Sequence, residues 1–279
     1  MASDPKVVIH PTAIVAALAR LGAGVVIGPY CVIGPKVSIG AGSVLQSHVV
    51  IDGHTTIGES NQFFPFCSVG LRPQDLKFKG EPSELIIGNS NTIREYVTLQ
   101  PGTAGGGMLS KIGNNNLFMA NSHLGHDGIV GDGNVFANSV ALAGHVTVGN
   151  HVVLGGLAGV HQFVRIGDYA MAGAGSMISK DITPYGIVQG DRAGLVGVNV
   201  VGMERGGFSA EDISLIQSVY RKLFFQRGNV GSPFAGRVQE ISANNASAVV
   251  KILCEFIGNS KRGVALAARR SEDDSETTE

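Results

Sequence analysis

The sequence predicts a mainly β protein, a parallel β-helix of hexapeptide repeats followed by a C-terminal α-helical domain. Three observations carry that prediction. A large aliphatic residue recurs at every sixth position through most of the chain, glycine at 40 of 279 residues is the one compositional outlier, and near Gly206 the period changes to a helical one. Written in sixes from Leu21, the chain reads LGAGVV, IGPYCV, IGPKVS, IGAGSV, LQSHVV, IDGHTT, IGESNQ. The phase takes in Ile9 and Val15 upstream and Phe63, Val69, Ile87, Ile93 and Leu99 downstream. After a slip it resumes at Ile112, holds through Ile166 and weakens by Ile178. An alternating strand needs spacings of two and a helix spacings of three and four, so neither produces this register, whereas a solenoid of short strands does.

In such a solenoid each hexad supplies one flat face. Its aliphatic residue points inward, and Gly or Asn often takes the left-handed corner that β-branched residues avoid. Three hexads close one triangular coil, so residue n stacks beneath residue n+18. Coils lie roughly 4.8 Å apart. Gly22-Ala23-Gly24 looks like a fragment of a dinucleotide loop, but it falls in the hexad register and reads as corner glycine.

The β-helix is expected over residues 1–205, interrupted by two loops. Residues 70–86 carry charges and prolines where the hexads stop, and residues 100–110, QPGTAGGGMLS, form a flexible glycine-rich excursion. A helical domain is expected over 206–270. In GFSAEDISLIQSVYRKLFFQRG, Ser209 and Asp212 signal a start, and Gly228 signals a stop. Between them Ile213, Ile216, Val219, Tyr220, Leu223 and Phe224 recur at helical spacing. Further helix-compatible sequence runs from about Ala246 to Ile257, and the acidic end 271–279 reads as a disordered tail.

A net charge of −1 gives no reason to expect nucleic acid as a partner. The first twenty residues lack a secretory pattern and no apolar run approaches bilayer length, so the protein is expected to be cytoplasmic with no integral membrane segment. Cys31, Cys67 and Cys254 form no CxxC pair. Cys31 and Cys67 stand two coils apart in one column, which separates their backbones by roughly 10 Å, so packed thiols are expected.

The stretch ANSHLGHDGIVG, residues 120–131, places His123, His126 and Asp127 among glycines. One coil above His126 lies Gly144, and one coil above Asp127 lies His145. Acyl transfer from a thioester needs a base for the attacking hydroxyl and a donor aimed at the developing oxyanion. His126 and the Gly144 amide are suited to those roles. Asp127 is placed to orient or charge-stabilise the imidazole, although neighbours on an extended strand face opposite sides. A lone solenoid histidine is more often a surface residue, but His123, His126, His145 and His161 all fall within about two coils.

These repeats resemble the left-handed parallel β-helix acyltransferases, and the left hand is implied by that resemblance alone. Within the class the chain is similar to the UDP-N-acetylglucosamine O-acyltransferase family of lipid A synthesis over roughly residues 9–227. IHPTAIV (9–15), PQDLKFKGE (73–81), HLGHDGIVG (123–131), LAGHVTVG (142–149), GVHQFVRIG (159–167) and GVNVVGMERGGFS (197–209) occur in the family's order and spacing. The resemblance implies transfer of an R-3-hydroxyacyl chain from acyl carrier protein to the 3-hydroxyl of UDP-N-acetylglucosamine. His126 is then the general base, and the Gly144 amide belongs to the oxyanion hole. It also implies Asp75 and Lys77 beside the acyl chain and pantetheine arm, with His123, His145, His161 and Gln162 around sugar and donor. Asn199 and Arg205 match nucleotide-contacting positions, and Met171 and Ala174 match the end of the acyl groove. A homotrimer with sites between neighbouring prisms is implied as well, with no metal and no cofactor beyond the carrier-protein thioester.

From residue type alone, Lys77 also fits a solvated loop and Arg205 a cap on the β-helix. The chain departs from the family pattern at Gln189-Gly190-Asp191-Arg192, at Val201 in place of a glutamate and at Gly206 in place of an arginine, all near the expected nucleotide. Two other acceptor and donor choices remain, another nucleotide sugar or acetyl-coenzyme A, and a nonenzymatic scaffold would need the repeats alone. Carbonic anhydrases of the same β-helix class bind zinc through three histidines across a subunit boundary. His123, His145 and His161 are the residues such a site would recruit.

Overall fold

The computed structural model describes residues 6–226 and 233–268. The repeats wind into a left-handed parallel β-helix whose three faces are sheets of eleven, nine and eight strands among the described residues. Most strands are two residues long, and their pairing follows the coil repeat: Val8 pairs with Val26, Val26 with Val44 and Ile129 with Thr147. Every hexad aliphatic from Ile27 to Ile166 is buried, so the core is one column per face filled by Ile, Val, Leu and Phe. Ile9, in the first coil, is 45% exposed because no coil lies beneath it.

The left-handed corners are used more widely than glycine and asparagine usage suggests. Tyr30, His48, Phe66 and Tyr96 all have φ between 58° and 67°. A left-handed conformation costs a side chain roughly 1–2 kcal/mol. These four rings stack in sequence with centroids 4.9–5.0 Å apart, and such contacts contribute about 0.5–1.5 kcal/mol each, which offsets much of the strain. Buried polar corners are satisfied by an amide ladder instead: Asn91 donates to Asn61 Oδ1 at 3.0 Å, and Asn116 donates to Asn91 Oδ1 at 3.0 Å.

Both excursions leave the prism within narrower bounds than expected: strands resume at Glu84–Ile87 and Leu109–Ile112, so residues 84–86 and 109–110 belong to the β-helix. His54 pairs with Glu84 across the first, and Thr98 pairs with His123 across the second. Gly24 has φ +70° at a turn, a corner glycine as expected. Cys31, Cys67 and Cys254 are free and buried, and burial pushes the Cys67 thiol up to about 12.

After Met177–Ile178 the solenoid closes with Gly186–Gln189 and an antiparallel return strand, Gly194–Val198. Helices α1 (Val200–Arg205), α2 (Ala210–Tyr220), α3 (Phe234–Asn244) and α4 (Ala248–Gly258) follow, with a π-helical turn at Arg221–Phe225. Helical structure therefore begins at Val200, because the buried Asn199 caps α1 by accepting from the Gly202 amide at 3.0 Å. Ser209 caps α2 as its sequence signal indicated, accepting from the Asp212 amide at 3.0 Å. The expected stop at Gly228 and the acidic tail 271–279 lie outside the described residues. No helix among the described residues is long and apolar enough to cross a membrane.

Candidate active site

His126 and Asp127 occupy the corner between strands His123–Leu124 and Ile129–Val130. The rule that strand neighbours diverge does not govern them, because Asp127 is in the left-handed conformation at φ 58°. That turn brings both side chains to one side, with His126 Nδ1 2.8 Å from Asp127 Oδ2. A carboxylate can only accept, so Nδ1 is the donor, and in the neutral imidazole the lone pair is on Nε2.

Gly144 stacks above His126 as the register predicts. A Cβ at Gly144 would fall 2.5 Å from both Cε1 and Nε2 of the imidazole, so the ring requires glycine there. The Gly144 carbonyl accepts from the Phe163 amide at 3.3 Å, whereas its own N–H has no hydrogen-bond partner among the described residues. A buried amide without a partner is uncommon, and this one adjoins the basic nitrogen.

His145 packs flat on Phe163 with centroids 4.4 Å apart and meets the His126 ring edge-on at 5.0 Å. Its Nε2 lies 3.9 Å from Asp127 Oδ2. Burial lowers the pKa of His145, against the opposing pull of Asp127. The charges of Asp75 and Lys77, on the first excursion, also act on His145. His123 contacts Thr98 Oγ1 through Nδ1 at 2.6 Å, and its pKa is lowered by burial and then by His126.

Sequence reasoning missed the second excursion's part in the site. The buried Thr103 donates its amide to Asp127 Oδ1 at 2.8 Å and its hydroxyl to Oδ2 at 2.6 Å. Thr103 lies beyond the register slip, where stacking arithmetic no longer assigns it a neighbour.

The remaining candidates are not all gathered at this centre. Lys77 is exposed and Asp75 half-buried, with Asp75 Oδ1 accepting from the Lys77 amide at 3.0 Å. Gln162 stands one coil above Gly144, and His161 beside it is exposed, its Nδ1 3.2 Å from the Gln162 carbonyl. Asn199 sits at a different corner, its amide donating to the Tyr169 carbonyl at 2.8 Å. Arg205 is exposed in the last turn of α1, Met171 is half-buried and Ala174 is exposed. Of the departures, Val201 is 54% exposed, and a Cβ on Gly206 would fall 2.5 Å from the Tyr169 ring. Tyr169 occupies the space an arginine stem would need.

As for metals, the set His123, His145 and His161 is not brought together among the described residues; the group whose donor atoms converge is His126, Asp127 and His145, all within 4.8 Å of one another. Both Asp127 oxygens already accept hydrogen bonds, from Thr103 and His126. A metal bound here would have to share oxygens that already accept those hydrogen bonds.

A model of the second domain of UDP-N-acetylglucosamine O-acyltransferases matches residues 181–265, and a bacterial transferase hexapeptide model of six repeats matches residues 18–53. The acyl-acyl-carrier-protein–UDP-N-acetylglucosamine O-acyltransferase of Aliarcobacter butzleri is 49% identical over 92% of this chain and 97% of its own. The enzyme of that name from Myxococcus xanthus is 50% identical over 92% and 98%. Among solved structures, LpxA from Acinetobacter baumannii superposes with a TM-score of 0.88 at 44% identity, covering 92% of this chain and 99% of that one. UDP-N-acetylglucosamine O-acyltransferase from Moraxella catarrhalis gives 0.86 at 43% identity over 92% and 99%. The chain is an acyltransferase and belongs to the family of UDP-N-acetylglucosamine O-acyltransferases.

Proposed function

We propose that the protein transfers an R-3-hydroxyacyl chain from acyl carrier protein to the 3-hydroxyl of UDP-N-acetylglucosamine, the first step of lipid A synthesis, with His126 as general base. One observation carries this reading: the imidazole's Nδ1 is held by Asp127 at 2.8 Å, which leaves Nε2 as the free base beside the unpartnered Gly144 amide. Nε2 takes the proton of the sugar hydroxyl as its oxygen bonds to the thioester carbonyl carbon. The carbonyl oxygen becomes an oxyanion and accepts from the Gly144 N–H. When the intermediate collapses, the carbon–sulfur bond breaks and the imidazolium returns its proton to the departing thiolate. Asp127 holds the ring and stabilises its charge throughout. These steps need no metal or other cofactor.

Asp75 and Lys77, whose charges reach His145, are assigned to the pantetheine arm, and His123, His145, His161 and Gln162 to sugar and donor. Asn199 and Arg205 are assigned to the nucleotide, with Asn199 also capping α1. Met171 and Ala174 are assigned to the far end of the acyl groove. A homotrimer goes with this reading, since Tyr30, Phe66 and Tyr96 leave an apolar column 58%, 46% and 57% exposed for a neighbouring prism to cover. A cytoplasmic site of action goes with the carrier-protein donor and three free thiols.

The test is incubation of purified protein with carrier-protein thioesters of several lengths and a panel of UDP-sugars, with products read by mass spectrometry. A 3-O-acylated UDP-N-acetylglucosamine is expected. Preference for a different nucleotide sugar, or for acetyl-coenzyme A, would overturn the substrate assignment, and absence of any transfer would overturn the enzyme reading.

A further inference from the structure

The glycine-rich second excursion folds tightly around the Asp127 carboxylate. The Thr103 carbonyl accepts from the Met108 amide at 2.9 Å and the Gly106 amide at 3.1 Å, which closes residues 103–108 into a compact turn. A Cβ on Gly106 would fall 2.0 Å from the Asp127 carboxyl carbon, so the turn lies against the carboxylate where no side chain fits. Gly107, at φ +94°, supplies the left-handed step that lets the turn close. Thr103 is 2% exposed, and its only side-chain polar atom is spent on Asp127 Oδ2.

The two excursions are also tied to each other. Glu81 accepts from the Ala104 amide at 3.0 Å through one oxygen and from the Lys79 amide at 2.8 Å through the other. Gln100 Oε1 accepts from the Gln74 amide at 3.2 Å. The loop that carries Asp75 and Lys77 is thereby pinned to the turn that holds Asp127.

We infer that Thr103 is a positioning residue for the reaction: by donating both its amide and its hydroxyl to Asp127, it fixes the carboxylate that fixes the His126 tautomer. This rests on the assignment of His126 as base. Two consequences separate it from a merely structural role. Without the hydroxyl, Asp127 keeps the Thr103 amide but loses its second anchor, so the imidazole samples unproductive orientations and kcat falls while substrate affinity is kept. Oδ2 also loses a competing donor and becomes a stronger acceptor for Nδ1–H, which favours the protonated imidazole and moves the acid limb of kcat/KM to higher pH. Asp127, His123 and His145 face the His126 ring, and Asp75 and Lys77 act on His145. Of these, Asp127 is the group that Thr103 hydrogen-bonds, so a change at Thr103 reaches the His126 ring through that carboxylate.

The experiment compares Thr103→Val, Thr103→Ser and His126→Ala with the native enzyme, using carrier-protein thioester and UDP-N-acetylglucosamine over a range of pH. Thr103→Val is expected to lower kcat about tenfold with both KM values within about twofold, and to raise the acid-limb pKa by about half a unit. Thr103→Ser, which retains the hydroxyl, should restore both. If Thr103→Val does not fold, Gly106→Ala, whose Cβ would fall 2.0 Å from the Asp127 carboxyl carbon, displaces the same carboxylate and should lower kcat with both KM values kept. The inference is overturned if kcat and the acid limb stay native in the folded valine variant, if serine fails to rescue, or if Gly106→Ala used in its place leaves kcat native. Native-like turnover in His126→Ala would instead overturn the base assignment.

Discussion

Gly144→Ala tests the site's geometry with a single carbon. The new Cβ would sit 2.5 Å from Nε2 and Cε1 of His126, whereas ordinary contact begins at 3.4 Å. The ring must therefore retreat by about 0.9 Å, and a misplacement of about 1 Å is worth about 10²-fold in turnover. That corresponds to about 2.7 kcal/mol of lost transition-state stabilisation. Folding should suffer far less, on the order of 1 kcal/mol, because the imidazole can move and Gly144 is not among the left-handed glycines. Alanine also keeps the backbone N–H, so the oxyanion donor is retained and the loss is confined to the ring's position. Steady-state rates with both substrates, set beside a thermal unfolding curve, should show kcat down about 10²-fold with KM values nearly unchanged. A folded Gly144→Ala enzyme with kcat within about threefold of native would refute the reasoning, since the ring's position would then not limit the rate.

Two further outcomes follow from other parts of the molecule. Ala174 stands one coil above Gly156 and is exposed at the expected groove end, so Ala174→Gly should shift product ratios toward longer 3-hydroxyacyl donors and Ala174→Met toward shorter ones in mixed-donor competition. The preference should be worth about 1–3 kcal/mol, and unchanged ratios in both variants would place the groove end elsewhere. Burial holds His123 and His145 below the ordinary imidazole range, so the unfolded chain binds protons first on acidification. Their contribution to stability is full above about pH 6.5 and is lost as pH falls through the folded values. The urea midpoint should therefore drop between about pH 7.5 and pH 5, and His123→Gln should flatten that drop. An identical slope in the variant would remove His123 from the linkage.

The solenoid was legible because its period is imposed by geometry. Each inward aliphatic has a fixed place, and the same arithmetic put Gly144 over His126 and packed Cys31 apart from Cys67. What failed to show in the sequence was conformation within a coil. Asp127 was read with strand alternation, and only its left-handed φ of 58° explains why it meets the adjacent histidine. Thr103 was hidden because its excursion breaks the register, so a buried turn looked like a flexible one. At the helical end, Asn199 was read only as a nucleotide contact although Asn before a helix is a strong cap signal, and helix α1 was missed with it. Helix α3 had only Pro233 as a start signal.

The proposed transfer turns on Nε2 of His126 removing the acceptor's proton. The most direct measurement is kcat of His126→Ala with an R-3-hydroxyacyl carrier-protein thioester and saturating UDP-N-acetylglucosamine, in protein whose circular dichroism and light-scattering mass match the native enzyme. A fall of about 10²–10⁴-fold is expected, the usual worth of a general base. A rate within about threefold of native would contradict it, because the proton would then leave by another route.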